Sequence, residues 1–134
     1  MKKSILALLG ATLFSGTALA NSVSCYVDTR AYDNYSQGEC FGGDSLDYVR
    51  DGAAVFKVNA TKPVQSVKWN IQRYRASCSG TSCAVQVGLG EHEVTACVDK
   101  IYYKDYTWAD VNWCATAFAN YWGNGGPLSA KTEK

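Results

Sequence analysis

The sequence predicts an all-β sandwich, an antiparallel fold of short strands braced by three disulfides. Three observations indicate it: apolar and polar residues alternate in several short runs, turn residues separate those runs, and six cysteines follow an N-terminal export signal. Alternation with a period of two places every second side chain of a strand on the same face. Frequent turns between short alternating runs are typical of sandwiches.

The first twenty residues have the pattern of a secretory signal peptide. Lys2 and Lys3 form a basic start, residues 5–14 are apolar, and the segment ends in the small-residue sequence Ala18-Leu19-Ala20. We expect cleavage after Ala20 and a bacterial chain that is secreted or periplasmic. Later apolar runs fall well short of the roughly 20 residues of a membrane-spanning helix, so no membrane span is expected.

The remaining chain has the length and charge of one ordinary domain. Without Lys2 and Lys3 it carries 11 basic and 12 acidic side chains, a net charge of −1, with no block of like charge. A nucleic-acid partner would require a basic stripe, so none is expected. Residues 123–134 are rich in glycine and polar groups and are predicted to be disordered. The domain is therefore predicted over residues 21–122.

Three runs in the middle of the chain alternate clearly. The residues predicted to face the core are Ala54, Phe56, Val58, Val67, Trp69, Ile71, Val85 and Val87. Most of them are β-branched or aromatic, as strands prefer. Helix signals are weak: residues 44–48 are compatible with a single turn, and residues 115–121 with either a strand or a helix.

The last hairpin can be tested by its register. A turn centred on Asp105-Tyr106 makes one face apolar and the other polar, and two cysteines fall opposite each other on the polar face. The opposed pairs are then Cys97–Cys114, Val98–Trp113, Lys100–Val111 and Tyr103–Trp108. This register predicts a cross-strand disulfide between Cys97 and Cys114.

The other four cysteines are assigned by proximity along the chain, out of fifteen formal pairings of six. Cys78 and Cys83 flank a four-residue loop, which predicts a hairpin disulfide, and Cys25 is then left to pair with Cys40. If the Cys78–Cys83 hairpin is extended, Val87 lies opposite Tyr74, so even-numbered residues face the core there. In the strand before it, the predicted core residues Trp69 and Ile71 are odd-numbered, so the two patterns conflict. Either a β-bulge intervenes or the chain crosses between sheets near residues 72–75.

Two segments resemble a known family. The strand Val67-Lys68-Trp69-Asn70-Ile71 and the later segment Gly90-Glu91-His92-Glu93-Val94-Thr95-Ala96-Cys97-Val98 resemble the Ig-like sandwiches of secreted bacterial proteins, including the PKD type. In that family a strand tryptophan packs in the core, and a later strand reads Gly-x-Tyr-x-Val-x-x-x-Val. His92 stands at the tyrosine position, and the PKD Gly-Asp-Gly turn is absent. The resemblance, over residues 53–117, implies an Ig-like architecture used for binding, adhesion or spacing.

Catalytic and metal chemistry find little support in the sequence. His92, the only histidine, is interpreted either as a general base or as a corner residue that bonds to the backbone in the place of the family tyrosine. It has no accompanying nucleophile motif, so we expect no enzyme and no cofactor. Acidic side chains gather near the N-terminus, where they either bind calcium or are simply solvated. They are Asp28, Asp33, Glu39, Asp44 and Asp47.

Aromatic residues at the end of the last hairpin are the best functional lead. The register places Tyr103 and Trp108 on the outward face and Tyr106 in the turn. Exposed together, such side chains bind proteins or stack on sugar rings. The alternative is that the N-terminal segment, residues 26–41, packs over them.

We therefore expect a secreted, non-enzymatic domain that binds a protein or cell-surface partner through Tyr103, Tyr106 and Trp108. One alternative is a carbohydrate-binding module that uses the same aromatic residues with Asp105, Asp110 or Asn112. Another is a small protease or hydrolase inhibitor that presents the loop Ser79–Ser82. The sequence does not favour any particular oligomeric state.

Overall fold

The structure is a computed structural model that describes residues 21–31, 33–47 and 52–123. The predicted signal peptide, and the predicted disordered tail beyond Gly123, lie outside these ranges. Within them the chain forms nine strands and no helix, and so contains nothing helical that is long and apolar enough to cross a membrane. The strands are β1 (Ser22–Val27), β2 (Ser36–Gln37), β3 (Glu39–Ser45), β4 (Gly52–Asn59), β5 (Val64–Ile71), β6 (Ala76–Ser79), β7 (Ser82–Val87), β8 (Gly90–Tyr103) and β9 (Trp108–Trp122).

The strands form two sheets, and the predicted all-β sandwich is confirmed. One sheet has the order β2-β1-β4-β7-β6 and the other the order β3-β9-β8-β5. The order β1-β4-β7-β6 opposite β9-β8-β5 is the strand order of the A-B-E-D and G-F-C sheets of an immunoglobulin domain. Membership of the Ig or PKD families stays a prediction. One pair departs from the antiparallel expectation, because β3 runs parallel to β9.

The core forms where the alternating runs predicted it. Ala54, Phe56, Val85 and Val87 are buried in the first sheet, and Trp69 packs partly buried against them from the second. Residues 115–121, compatible with strand or helix in the sequence, belong to β9. The turn expected at residues 44–48 begins only at Leu46, because Asp44 and Ser45 end β3; Tyr48 lies outside the described residues.

The register of β8 and β9 agrees with the predicted one over most of its length. Cys97 lies opposite Cys114, and Val98 lies opposite Trp113, as predicted. Beyond Val98 the register moves by one residue, since Asp99 alone lies opposite the two β9 residues between Asp110 and Trp113. The predicted pairs Lys100–Val111 and Tyr103–Trp108 are therefore wrong. The observed pairs are Lys100–Asp110, Ile101–Ala109 and Tyr102–Trp108.

The conflict between the core-facing patterns of β5, which holds Trp69, and of the Cys78–Cys83 hairpin is resolved because the chain crosses from one sheet to the other between them. β5 belongs to the four-stranded sheet and β6 to the five-stranded one, so residues 72–75 carry the chain from one to the other. Arg73 turns the chain there with φ of 74°, in the left-handed region that few non-glycine residues adopt. The hairpin that follows keeps its predicted register, with Cys78 opposite Cys83.

All six cysteines are paired as predicted. The disulfides are Cys25–Cys40, Cys78–Cys83 and Cys97–Cys114. They fit an oxidising extracellular or periplasmic environment. Cys25 and Cys40 are both buried and join β1 of one sheet to β3 of the other, so this disulfide links the two layers of the sandwich.

Tyr121, near the end of β9, ties the second sheet to the first. Its side chain is fully buried, and its hydroxyl lies 3.1 Å from both the N–H and the carbonyl oxygen of Ala53 and also contacts the carbonyl oxygen of Asp28. Its ring passes so close to Gly52 that a Cβ there would lie 2.6 Å from a ring carbon. Burial, opposed in part by the bond to Ala53, raises the pKa of Tyr121 from 10.0 to about 12.

Tyr121→Phe should destabilise the protein at neutral pH by about 1–3 kcal/mol, because the Ala53 N–H loses its acceptor inside the sandwich. The cost should shrink in alkali. The unfolded tyrosine loses its proton near pH 10 while the folded one keeps it to about 12, so wild-type stability falls through this window by up to about 2 kcal/mol.

The measurement is denaturant unfolding of the oxidised wild type and of Tyr121→Phe at pH 7 and at pH 11.5. All other tyrosines are common to both proteins, so their titration cancels in the difference. A difference in the free energy of unfolding that is the same at both pH values would contradict the assigned role of the hydroxyl.

Candidate functional site at the β8–β9 hairpin tip

Residues 104–107 join β8 to β9, and since Tyr103 pairs with Thr107, Lys104-Asp105-Tyr106 form a three-residue loop. Tyr103 donates its N–H to the carbonyl of Thr107 at 2.8 Å, and Tyr106 donates its N–H to the carbonyl of Tyr103 at 3.1 Å. Tyr106 has φ of 70°, the left-handed conformation that commonly closes such loops and that glycine usually supplies. A side chain with a Cβ pays about 1 kcal/mol of strain there.

The structure changes which aromatic side chains share the outer face of the tip. Tyr106, at the turn as predicted, is 97% exposed, and Trp108 is 55% exposed. Trp108 lies opposite Tyr102, which is 40% exposed, and not opposite Tyr103 as predicted. Tyr103 is only partly exposed, because the register shift at Asp99 buries Ile101 and turns Tyr102 outward. We use "hairpin tip" for Tyr102, Tyr103, Tyr106 and Trp108.

Lys62 links the hairpin tip to the connection between β4 and β5. Its ammonium lies 3.0 Å from a carboxylate oxygen of Asp105, 3.0 Å from the hydroxyl of Thr107 and 4.2 Å from the ring centroid of Tyr103. Lys104 donates its backbone N–H to the carbonyl of Pro63 at 3.1 Å in the same region. The tip is therefore held from a second loop, which the sequence did not reveal.

Asp105 is the acceptor around which this loop is organised. The hydroxyl and N–H of Thr107 both donate to its carboxylate, and Lys62 forms an ion pair with it. The bonds from Thr107 first, and the Lys62 ammonium after them, lower the pKa of Asp105 from 3.8 to about 2. The carboxylate is thus ionised and engaged at any physiological pH.

Trp108 carries its own cation. The ammonium of Lys100 lies 4.4 Å from the centroid of the Trp108 ring and 3.5 Å from a carboxylate oxygen of Asp110. Lysine above an indole face is attracted by the ring quadrupole, at about 0.5–1 kcal/mol for an exposed pair. Lys100 thereby holds the indole in one orientation while more than half of it stays accessible to a partner.

Within the described residues, the N-terminal segment does not cover the tip. Its strand β3 pairs with residues 116–122 of β9, at the far end of that strand from Trp108. The aromatic residues of this segment find other partners. Tyr26 packs edge-on against Tyr35, with ring centroids 4.9 Å apart, and Phe41, 70% exposed, stacks on Phe118 at 4.9 Å.

His92 is a corner residue bonded to the backbone, as one of its two interpretations proposed. Its Nε2 lies 3.0 Å from the carbonyl oxygen of Gly88 and 3.2 Å from that of Leu89, and its Nδ1 lies 3.2 Å from the hydroxyl of Tyr74. Carbonyl oxygens only accept, so Nε2 carries a proton. Nε2 thus holds the connection between β7 and β8, and Nδ1 links it to Tyr74 in the crossing between β5 and β6.

Two of the five acidic residues near the N-terminus, Asp33 and Asp44, accept hydrogen bonds from the backbone. The buried carboxylate of Asp44 accepts the N–H of Arg30 at 2.6 Å and that of Ser45 at 2.7 Å, and Asp33 accepts the N–H of Thr29 at 3.2 Å. Burial first, and the nearby carboxylate of Asp33, raise the pKa of Asp28. Among the described residues, no three His, Cys, Asp or Glu side chains are grouped to hold a metal ion.

The loop Ser79–Ser82, proposed as an inhibitory loop, is a tight turn. Ser79 pairs with Ser82 in the ladder, so only Gly80 and Thr81 lie between the strands. A protease inhibitor of this kind needs an extended segment that fills several substrate pockets, which a two-residue turn does not offer. The geometry therefore gives the inhibitor alternative no support.

We found no family model, curated protein or solved structure to which this chain is significantly similar. The candidate site consequently rests on its own geometry. Sequence reasoning found Tyr106 and Trp108 but missed Tyr102 and Lys62. The position of Tyr102 among the aromatic residues of the hairpin was the only hint of its role, and no residue of the hairpin itself indicated Lys62.

Lys62→Met should move the titration midpoint of Asp105 from about 2 back toward 3.8, since the variant loses the ion pair but keeps the Thr107 bonds. Because the pKa of Asp105 is lower in the folded protein than in the unfolded chain, the stabilisation by its ionised carboxylate is complete above pH 3.8. It is lost as the pH falls through about 2. The carboxyl carbon of Asp105, followed by NMR between pH 1.5 and 6, reports the midpoint.

The matched control is Lys104→Met, which removes a lysine adjacent to Asp105 in sequence. It should move the midpoint less than Lys62→Met does. Equal shifts in the two variants would mean that general positive charge, and not the Lys62 contact, lowers the pKa of Asp105.

Proposed function

We propose that this protein is an exported, non-enzymatic binding domain whose hairpin tip inserts into a groove of a protein partner at a cell surface. Export follows from the predicted signal peptide at residues 1–20, with which the oxidised cysteines agree. The proposal of a non-enzymatic role is supported by His92, whose ring nitrogens are both engaged, and by the cysteines, which are all in disulfides.

Tyr106 is the observation that carries the proposal. A tyrosine that is 97% exposed contributes almost no packing, yet it occupies a left-handed position that glycine would take without strain. Strained backbone positions and exposed large aromatic side chains both concentrate at functional sites. Their coincidence on one residue is what a binding role explains and a purely structural role does not.

The shape and charge of the tip favour a protein partner. Tyr102 and Trp108 lie on one side of the hairpin, Tyr103 lies on the other, and Tyr106 stands at the apex, so the tip is convex. Convex aromatic anchors fill pockets on protein partners. Of the polar residues named for a sugar site, Asp105 is bonded to Lys62 and Thr107 and Asp110 is paired with Lys100, which leaves the exposed Asn112. The carbohydrate alternative is therefore the weaker one.

The test is binding of the labelled mature protein to intact cells of the producing organism. Tyr106→Gly and Trp108→Ala should each weaken binding about tenfold or more, as truncated anchors do. Tyr106→Gly should fold with unchanged or slightly higher stability, because relief of left-handed strain offsets the entropy that glycine adds to the unfolded chain. Protease treatment of the cells should abolish binding.

Leu89→Ala is the matched control, since Leu89 is 59% exposed but lies at the other end of β8. It should bind like the wild type. If Tyr106→Gly bound the cells with wild-type affinity, the hairpin tip would not be part of the interface. Binding that survives protease but is lost after the cells are stripped of glycans would replace the protein partner by a carbohydrate.

A further inference from the structure

The three disulfides differ in their access to solvent. Cys25 and Cys40 are buried, and Cys83 is buried beneath its exposed partner Cys78. Cys97 and Cys114 instead lie on the outer face of the four-stranded sheet, with Cys114 exposed and Cys97 partly so. Only this disulfide, among residues that the structure describes, presents both of its sulfurs toward water.

A cavity of about 410 Å³ opens beside Cys97. Cys97 itself forms part of its wall, with Asn70, Arg73, Glu93 and Thr95 among the other lining residues. The cavity thus combines a disulfide sulfur, one cationic side chain and one anionic side chain. Its volume is that of a small peptide and not of a protein segment.

The cavity lies where a nucleophile must approach. Thiolate attack on a disulfide proceeds along the S–S axis, from the side opposite the sulfur that leaves. In the sheet, Cys97 has Cys114 of β9 on one side and Asn70 of β5 on the other. The cavity wall includes Asn70 and Cys97 but not Cys114, so a thiol bound there approaches Cys97 from the side of β5, away from β9.

The leaving group is also favourably placed. Attack on Cys97 would release Cys114 as a thiolate on the exposed face, where water solvates it. Attack on the exposed Cys78 would instead release Cys83, which is 2% exposed, into the core, where burial disfavours a thiolate. Exposure of one sulfur is therefore not enough, and the exposed pair is the reactive one.

Arg73 supplies a selective element. It has φ of 74°, so it holds a left-handed position at some cost in strain, and its side chain lines the cavity. Its guanidinium can bind a carboxylate with two hydrogen bonds, and Glu93, which also lines the cavity, can bind an ammonium group. Small peptide thiols of the glutathione class carry both groups.

We propose that this cavity binds a low-molecular-weight thiol that carries a carboxylate and an ammonium group, and that Cys97 is the site of its attachment. The ligand thiolate bonds to the sulfur of Cys97, the Cys97–Cys114 bond breaks, and its electron pair leaves on Cys114, which takes a proton from water. The product is a mixed disulfide at Cys97 and a thiol at Cys114, with no other oxidant or reductant involved. This proposal does not rest on the proposed role of the hairpin tip.

The test exposes the folded, oxidised protein to glutathione at pH 8 without denaturant, followed by alkylation and peptide mass analysis. Glutathione should appear on Cys97 and the alkyl group on Cys114, with Cys25–Cys40 and Cys78–Cys83 intact. Arg73→Gln should slow the reaction with glutathione by about two- to fivefold, the effect of losing one exposed ion pair. It should leave the rate with uncharged 2-mercaptoethanol unchanged.

Arg75→Gln is the control, because Arg75 is exposed two residues away but lines a different cavity, beside Gly52 and Gln86. It should react like the wild type with both thiols. An adduct found first on Cys114 or Cys78 would overturn the proposed geometry. Equal slowing of both thiols by Arg73→Gln would overturn the carboxylate contact, and reaction only under unfolding conditions would overturn the site as a whole.

Discussion

The ladder between β8 and β9 is the constraint on which the other features depend. It runs from Gly90–Tyr121 at one end to Tyr102–Trp108 at the other and fixes which side chains of both strands face inward. β9 offers its second edge to β3, so the N-terminal segment is added to the same sheet. Near the end of the ladder, Tyr121 reaches across to the backbone of Ala53 in the opposite sheet. Register in one hairpin therefore positions both sheets.

Two irregularities in this ladder explain each other. The three-residue loop places Tyr103 opposite Thr107. The longer part of the ladder, from Val98 to Gly90, is held one residue out of that register by its inward-facing residues and by the disulfide Cys97–Cys114. The shift at Asp99 reconciles the two. Because of this shift, the buried residues Val98 and Ile101 of β8 are three positions apart, instead of the usual two. Ile101 is buried, and Tyr102 joins Trp108 outside.

Alternation and turn residues were enough to predict the sandwich, the core faces and, through register, the disulfide Cys97–Cys114. Proximity along the chain supplied Cys78–Cys83, and Cys25–Cys40 was the pair that remained. The shift at Asp99 could not be predicted, because Asp99 and Lys100 are both polar and either parity is acceptable for them locally. The choice is made by the loop, where a tyrosine adopts the conformation expected of glycine. The pattern of apolar residues and cysteines therefore favoured a turn centred on Asp105-Tyr106, and the hairpin adopts another.

Contacts between segments that are distant in sequence could not be predicted from the sequence pattern, for a different reason. The parallel pairing brings β3 so close to β9 that a Cβ at Gly43 would lie 2.6 Å from the carbonyl oxygen of Asn120, and a Cβ at Gly42 would lie 2.7 Å from Val27 of β1. The bond from Lys62 to Asp105 spans 43 residues. Alternation reports only which face of a strand is apolar, and it carries no information about which loop will lie beside which hairpin.

The same long-range contacts bear on how the hairpin tip would bind. An exposed hairpin that ends in aromatic residues would normally lose conformational entropy on association, which lowers affinity. Here Cys97–Cys114 closes the hairpin behind the tip, Lys62 holds the loop from one side, and Lys100 holds the Trp108 indole from the other. Each contact removes freedom before a partner arrives. Individually these exposed interactions add little stability, so their main effect is to keep a few aromatic rings in fixed positions on a face that remains open to water.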